Sequence, residues 1–316
     1  MKTVLVNKPT HQDALDLLSK EVNVLAPYTA SEDELIEMLP DVHGIMLMMG
    51  LTMTGEVIAK CKNLEIIGRH GAGYDIVDLE AAAKQGVIVT NTPYGPTEST
   101  AELAFLLMMA AARSLTLFDR AFRKGDFHIR QKITGRELLD KNVGVLGFGR
   151  IGSRFAEMCK GAFNMNVYVY DPVIDRSQVE DFGAVYMTDL MEMAGQIDFL
   201  SVHCPLIPQT RHIINAEVLE AMKPEAYLIN ASRGPTVDEE ALIAALKENK
   251  IAGAGLDVFD QEPPATDNPL FSLDNVVLTP HVAGFTDEGK RRMGVTAAED
   301  ILRVLRGEKP VYPVTS

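Results

Sequence analysis

Between Val143 and Asp171 the chain reads V-G-V-L-G-F-G-R-I-G, then an amphipathic run, then N-V-Y-V-Y-D. An apolar run, Val143–Phe148, enters a turn carrying Gly147, Gly149 and Gly152. A helix-like segment follows, and a second apolar run, Val167–Tyr170, ends on Asp171. No other segment restricts the fold so strongly, because G-x-G-x-x-G carries structural meaning when it joins a strand to a helix. In that setting Gly147 permits a tight turn, Gly149 lets the backbone approach a pyrophosphate, and Gly152 lets the helix pack close to the strand. The helix N-terminus supplies unpaired N–H groups and the positive end of a dipole. Asp171 stands about twenty residues on, where a carboxylate hydrogen-bonds adenosine ribose hydroxyls and repels a 2′-phosphate. The pattern predicts a βαβ unit that binds a dinucleotide, NAD in preference to NADP.

The same alternation runs almost from end to end. Apolar runs fall at Thr3–Val6, Val22–Ala26, Gly44–Met49, Leu64–Gly68 and Val87–Thr90. A long helical stretch, Thr97–Arg113, comes next. Further runs fall at Val143–Phe148, Val167–Tyr170, Phe199–Val202, Tyr227–Asn230, Ala254–Val258 and Val276–Leu278. Strands alternating with helices predict parallel sheets. Eleven such strands are too many for one comfortable open sheet. The expected class is therefore α/β, with two doubly wound parallel-sheet lobes, Rossmann-like or flavodoxin-like, and a cleft between them. The 316 residues give room for both. Asn91–Pro96 reads as the loop between lobes. Glu288–Leu305 reads as a last helix that returns to the first lobe, stopped at Arg306-Gly307.

The formal net charge of −14 opposes nonspecific binding to nucleic acid or an anionic membrane, though not a local basic site for an acidic ligand. The apolar run in M-K-T-V-L-V-N-K-P-T is too short for a signal peptide, and no stretch is long enough to span a bilayer, so a cytoplasmic location is expected. Cys61, Cys159 and Cys204 show no C-x-x-C spacing and read as reduced thiols. His203 and Cys204 lack further ligands at matching spacing, so no metal is expected.

In open α/β sheets ligands bind beyond the carboxyl ends of strands. The later runs end at or near Gly147, Asp171, His203, Arg233, Asp257 and His281. Three segments stand out there: N-A-S-R-G-P-T-V-D with Arg233, D-Q-E-P-P with Glu262, and L-T-P-H-V-A-G with His281. With the glycine motif, and with N-T-P-Y-G-P-T-E-S-T-A-E-L, H-C-P-L-I-P-Q-T-R-H-I-I-N and A-G-L-D-V-F, the chain resembles the D-isomer-specific 2-hydroxyacid dehydrogenases over nearly its whole length. The resemblance implies a substrate-binding domain, 1–98 plus 287–316, and an NAD-binding domain, 99–286, that mediates dimerisation.

The implied chemistry suits the residue types. Reducing a 2-keto acid needs a hydride at C2 and a proton on the carbonyl oxygen. His281 suits the proton donor, because imidazole titrates near neutral pH. Glu262 would accept from the other ring nitrogen, fixing the tautomer and favouring the imidazolium. Arg233 stays charged, and its planar fork matches a carboxylate. Taken singly, each has an ordinary reading: a structural histidine, a solvated loop acid, a turn-capping arginine. The resemblance also implies that Arg150, Ile151, His203 and Cys204 line the cofactor and that Asp257 accepts from the nicotinamide carboxamide. Gly71, Ala72 and Gly73 form a nest of N–H groups for the substrate carboxylate, or a plain tight turn. Arg69 is a second anion contact or points to solvent. The implied partners are a small anionic 2-hydroxy or 2-keto acid and a second copy of the chain, joined through Thr97–Arg113 and Leu115–Gly135. Arg130 or Lys132 would then reach the partner's active site.

Within the family, I-I-G-R-H-G-A-G-Y-D-I-V-D-L-E-A-A-A most resembles phosphoglycerate dehydrogenases. Those enzymes commonly carry a phosphate-binding arginine in V-R-S after the third strand, where this chain has Leu47, Met48 and Met49. Their P-H-L-G-A-S-T is P-H-V-A-G-F-T around His281. Met48 is thus expected at the cleft rim, and glyoxylate or hydroxypyruvate stays open as substrate beside 3-phosphoglycerate. With the sequence ending at Ser316, no C-terminal regulatory domain is expected. Formate dehydrogenases place a glutamine where Glu262 stands, and phosphite dehydrogenases a lysine where Ala72 stands. The alternative reading is an NAD(H)-sensing corepressor on the same fold.

Overall fold

The computed structural model describes residues 1–314. Contacts divide the chain into two units, one made of Met1–Thr97 and the chain from Gly284 on, the other of Glu98–Ala283. In the first unit β1 (Thr3–Val6), β2 (Asn23–Leu25), β3 (Gly44–Leu47), β4 (Ile66–Arg69) and β5 (Ile88–Thr90) form a parallel sheet in the order β2-β1-β3-β4-β5. In the second, β6 (Asn142–Leu146), β7 (Asn166–Tyr170), β8 (Val185–Tyr186), β9 (Phe199–Val202), β10 (Tyr227–Asn230), β11 (Gly253–Leu256) and β12 (Val276–Leu278) take the order β12-β11-β10-β9-β6-β7-β8. The first order is the flavodoxin-like one, and the second is the Rossmann order with one further strand. Both are the doubly wound parallel sheets that the alternation of strands and helices predicts.

Each sheet is buried on both faces, as all-parallel sheets are. In the first unit Leu5, Ile45, Leu47 and Ile67 pack on one side, and Val4, Val6, Met46 and Ile66 on the other beneath the helix Asp287–Leu305. Each such aliphatic side chain contributes about 1.5–3 kcal/mol by leaving water. Ser31, Thr54 and Asp78 cap the helices that follow, each accepting a main-chain N–H in the first turn. In the second unit Val143, Val145, Val167 and Val169 face one layer and Leu146, Leu200, Leu228 and Leu256 the other.

One expectation changes. The twelfth strand, β8, is absent from the eleven apolar runs because it has only two residues, at the sheet edge. On the helix Thr97–Ala112, Leu106 is 54% exposed and Leu103, Phe105 and Met109 are only partly covered within this one chain. The next helix, Leu115–Arg123, buries none of its residues, and Leu115, Phe122 and Phe127 lie exposed. Among the described residues no single helix is long and apolar enough to cross a membrane.

Candidate active site

The carboxyl ends of β10, β11 and β12 are neighbours, and each is followed by a candidate site residue. His281 follows β12 with φ +52°, and its N–H donates to the carbonyl oxygens of Asp257 at 2.8 Å and Thr279 at 3.1 Å. Its Nδ1 lies 2.6 Å from Oε2 of Glu262, whose Oε1 accepts the N–H of Phe259 at 3.1 Å. A carboxylate at Nδ1 selects the tautomer and aims the ring. Nε2 has no partner among the described residues. The two side chains are 30% and 23% exposed, so the pair is reachable yet partly shielded.

Arg233 follows β10 in a turn closed on its own carbonyl oxygen, which accepts from Asn230 Nδ2 at 2.9 Å and Thr236 Oγ1 at 2.6 Å. Gly234 then presses against the backbone of Phe259 and Asp260, where any Cβ would collide with the Phe259 carbonyl oxygen. Only glycine brings the arginine turn this close to the segment leading to Glu262. Asp257, fully buried, accepts from Thr279 Oγ1 at 2.6 Å and Val282 N–H at 2.8 Å on one oxygen, and from Ala283 N–H at 2.9 Å on the other. Burial pushes its carboxyl above the usual range, and these hydrogen bonds pull it back in part.

Across the same sheet, β6 ends at Gly147, with φ +92°. The N–H of Phe148 donates to Asp171 Oδ2 at 2.8 Å, and Val173 N–H to Oδ1 at 3.0 Å. The helix Arg150–Phe163 starts at Gly149 with no side-chain cap, whereas Asp175, Asp189, Asn215 and Asp238 cap other helices of this unit. Nothing lies within 4 Å of where a Gly149 Cβ would stand, and Gly152 sits against the Gly147 carbonyl. Arg150 and Ile151 occupy the first turn. The site is open, lined with main-chain donors and at a helix N-terminus, so it fits a pyrophosphate. His203, after β9, packs its ring 4.9 Å from that of Phe155, with Nε2 2.8 Å from Ser201 Oγ. Burial pulls it down to about 3 and pushes the Cys204 thiol up to about 12, so both stay neutral near pH 7. The Cys204 carbonyl accepts from Ser232 Oγ at 2.5 Å, which ties the β9 loop to the arginine turn.

In the first unit, β4 runs into Gly71, with φ +146°, whose N–H is taken by Thr92 Oγ1 at 2.8 Å and the Arg69 carbonyl at 3.0 Å. The N–H groups of Ala72 and Gly73 have no partner among the described residues. Arg69 is buried rather than turned to solvent. Its Nη1 donates to the Leu47 carbonyl at 3.0 Å and to that of His70, and the guanidinium lies against Gly71. Among the described residues no group of three or more His, Cys, Asp or Glu side chains is placed to hold a metal ion.

Residues 105–283, more than half of the chain, match the model for the NAD binding domain of D-isomer specific 2-hydroxyacid dehydrogenases. The chain belongs to the D-isomer specific 2-hydroxyacid dehydrogenase family. It is 42% identical over 308 residues to a D-3-phosphoglycerate dehydrogenase of Methanocaldococcus jannaschii, covering 98% of this chain and 58% of that one. It is 38% identical over 305 residues to a hydroxypyruvate reductase of Thermotoga maritima, covering 96% and 98%. A solved protein of Thermus thermophilus superposes with a TM-score of 0.91 at 34% identity, covering 99% and 100%. The chain thus spans little more than half the length of the phosphoglycerate dehydrogenases it matches.

In this member of the family, the seven-stranded sheet of the second unit gathers Arg233, Asp257, Glu262 and His281 at three adjacent strand ends, those of β10, β11 and β12, and Gly147, Asp171 and His203 at the ends of β6, β7 and β9. Sequence reasoning misses Gly234 and Asn230, although a glycine directly after the arginine is a visible signal. Met48 requires correction. Its side chain is 8% exposed and packs in the core with Val6, Ala14 and Met46, so it is not at a rim. Strand alternation continues past β3 and puts Met46 and Met48 on one face. The outward side chain of this turn is Met49, 41% exposed.

Proposed function

We propose that this chain is an NAD-dependent dehydrogenase of D-2-hydroxy acids, interconverting a small 2-hydroxy acid and its 2-keto acid. The observation that carries this reading is the 2.6 Å pairing of His281 Nδ1 with Glu262, beside the docked turn of Arg233. The relatives named for phosphoglycerate and hydroxypyruvate support the same substrate class, of which glyoxylate is the smallest member.

Gly147, Gly149, Arg150, Ile151 and Gly152 would hold the pyrophosphate of NAD, Asp171 the adenosine ribose, His203 and Cys204 would flank the cofactor, and Asp257 would receive the carboxamide. Bound NADH would supply the hydride to C2. In that direction His281 gives its Nε2 proton to the carbonyl oxygen, and in the reverse direction it takes the hydroxyl proton. Glu262 accepts the hydrogen bond of the Nδ1–H throughout, which keeps the ring oriented and leaves Nε2 to face the substrate. Arg233 pairs with the substrate carboxylate and polarises the adjacent carbonyl. In the first unit, the N–H groups of Ala72 and Gly73, with the Arg69 charge beneath the turn, would offer donors to a carboxylate.

The test is NADH oxidation with a panel of 2-keto acids, in wild type and His281→Asn. Turnover that falls about 10²–10⁴-fold in the variant, with NADH binding retained by fluorescence, is expected. NAD binding with no turnover of any acid by wild type overturns the reading.

The same proposal includes a homodimer built on Thr97–Ala112 and the segment after it. Short helices draw their stability from packing. Leu115–Arg123 has no fully buried residue in its own chain, with Leu117, Phe118 and Ala121 only half-covered, and it presents Leu115 and Phe122, while Leu106 and Phe127 on the flanking segments are exposed too. Arg130, stacked 4.3 Å over Phe127, or Lys132 would reach the partner's active site. Light scattering at micromolar concentration should give twice the chain mass; a monomer there removes this part.

A further inference from the structure

In a doubly wound sheet of order 2-1-3-4-5 the ligand crevice opens where the chain reverses direction, beyond the carboxyl ends of the first and third strands. In the first unit those ends are Asn7-Lys8 after β1 and Met48-Met49-Gly50 after β3. They are locked together. Asn7, fully buried, accepts the Met48 N–H at 2.8 Å and donates to the Met48 and Met49 carbonyls at 3.3 and 3.2 Å. Lys8 is therefore anchored against the β3 turn. Its Cε stands 3.0 Å and its Nζ 3.5 Å from where a Cβ on Gly50 would be, and Gly50 itself has φ +84°. The Lys8 ammonium makes no ion pair or hydrogen bond among the described residues, although Asp and Glu outnumber Lys and Arg by 44 to 30 in the chain.

One strand further, the end of β4 carries Arg69 and the unpartnered N–H groups of Ala72 and Gly73. Strands are about 4.8 Å apart, so the ends of β1 and β4 are separated by roughly 10 Å, a gap that the lysine stem narrows. We propose that Lys8 is a specificity-determining residue, its ammonium binding a second anionic group on C3 of the substrate while the Ala72–Gly73 turn takes the C1 carboxylate. The charge absent from Leu47, Met48 and Met49 is thereby supplied from β1. This inference rests on the dehydrogenase reading and names the substrate within it: a three-carbon 2-keto acid whose C3 oxygen carries phosphate.

The test compares kcat/KM for phosphohydroxypyruvate, hydroxypyruvate and glyoxylate in wild type, Lys8→Gln and Lys8→Arg. A lost charge-assisted hydrogen bond lowers affinity about 10–100-fold. The ratio of kcat/KM for phosphohydroxypyruvate to that for glyoxylate should fall by that factor in Lys8→Gln, mostly through KM. Lys8→Arg should restore most of it, and raised ionic strength should shrink the wild-type ratio. A Lys8→Gln ratio within twofold of wild type overturns the proposal while leaving the dehydrogenase reading intact, as does a fall of the same size with Lys8→Arg. Wild-type protein that reduces none of the three acids overturns that reading, and the role of Lys8 with it.

Discussion

The main-chain N–H of His281 donates to the carbonyl oxygen of Asp257 at 2.8 Å, and the carboxylate of the same aspartate receives the N–H groups of Val282 and Ala283. A carboxylate offers about four acceptor positions, and three are spent on the segment that carries the histidine. Asp257 therefore orients His281 as well as facing the proposed cofactor site. Asp257→Ala strands two N–H groups and a hydroxyl in a buried place, at about 1–3 kcal/mol each. The expected outcome is a lowered unfolding midpoint and a kcat that falls together with it, because the loop no longer holds φ +52° at His281. Denaturant titration and steady-state kinetics on the same preparation check this. A variant as stable as wild type shows that the loop is held by other contacts.

Asp171 has two tasks, and one substitution separates them. Its carboxylate accepts the Phe148 and Val173 N–H groups, which shapes the glycine turn, and its negative charge would exclude a 2′-phosphate. Asp171→Asn keeps an acceptor but removes the charge. NADH should bind about tenfold more weakly, the loss of one charge-assisted hydrogen bond, while the gap between NADH and NADPH in kcat/KM narrows. Wild-type protein that prefers NADPH would show that the carboxylate does not face the ribose.

The parts of this molecule legible in the sequence were those fixed by local periodicity and by position at strand ends. Val143–Phe148 followed by three glycines and a helix has one physical reading, and the carboxyl ends of Tyr227–Asn230 and Val276–Leu278 pointed to Arg233 and His281. What stayed hidden depends on long-range contact. Val185–Tyr186 is a strand only because β7 pairs with it. Asp257 reads as a strand-end acid, and nothing local shows that residues 25 and 26 further on are its partners. Met48 and Met49 are chemically alike, so only the face taken by Met46 decides which of them is core.

That assignment predicts opposite outcomes for two neighbouring substitutions. Met48→Arg places a guanidinium in the apolar cluster of Val6, Ala14 and Met46, which should destabilise the first unit by about 3 kcal/mol or more. Met49→Arg adds the same charge to an exposed side chain and should change stability by less than about 0.5 kcal/mol. Thermal melts of both variants decide the matter, and equal midpoints would reverse the assignment of the two faces.

His70 is buried at the end of β4, against the helix Asp287–Leu305. Its Nε2 and the Oγ1 of Thr10 both lie close to where a Gly294 Cβ would stand, and neither polar atom is partnered among the described residues. Burial holds the imidazole down at about 4, and the charges of Arg69 and Lys290 push the same way. Unfolding releases it to its ordinary value near 6.5. A group depressed on folding gives stability that is present in full above its unfolded value and is lost as pH falls from about 6.5 toward 4. At pH 5 the loss from His70 alone is roughly 2 kcal/mol, a sizeable part of the 5–15 kcal/mol typical of a domain. His70→Gln removes the titrating group. The difference in unfolding free energy between pH 7 and pH 5, measured by denaturant titration, should therefore shrink by about that amount in the variant. An identical pH dependence in the two proteins would mean that His70 is solvated in the native state.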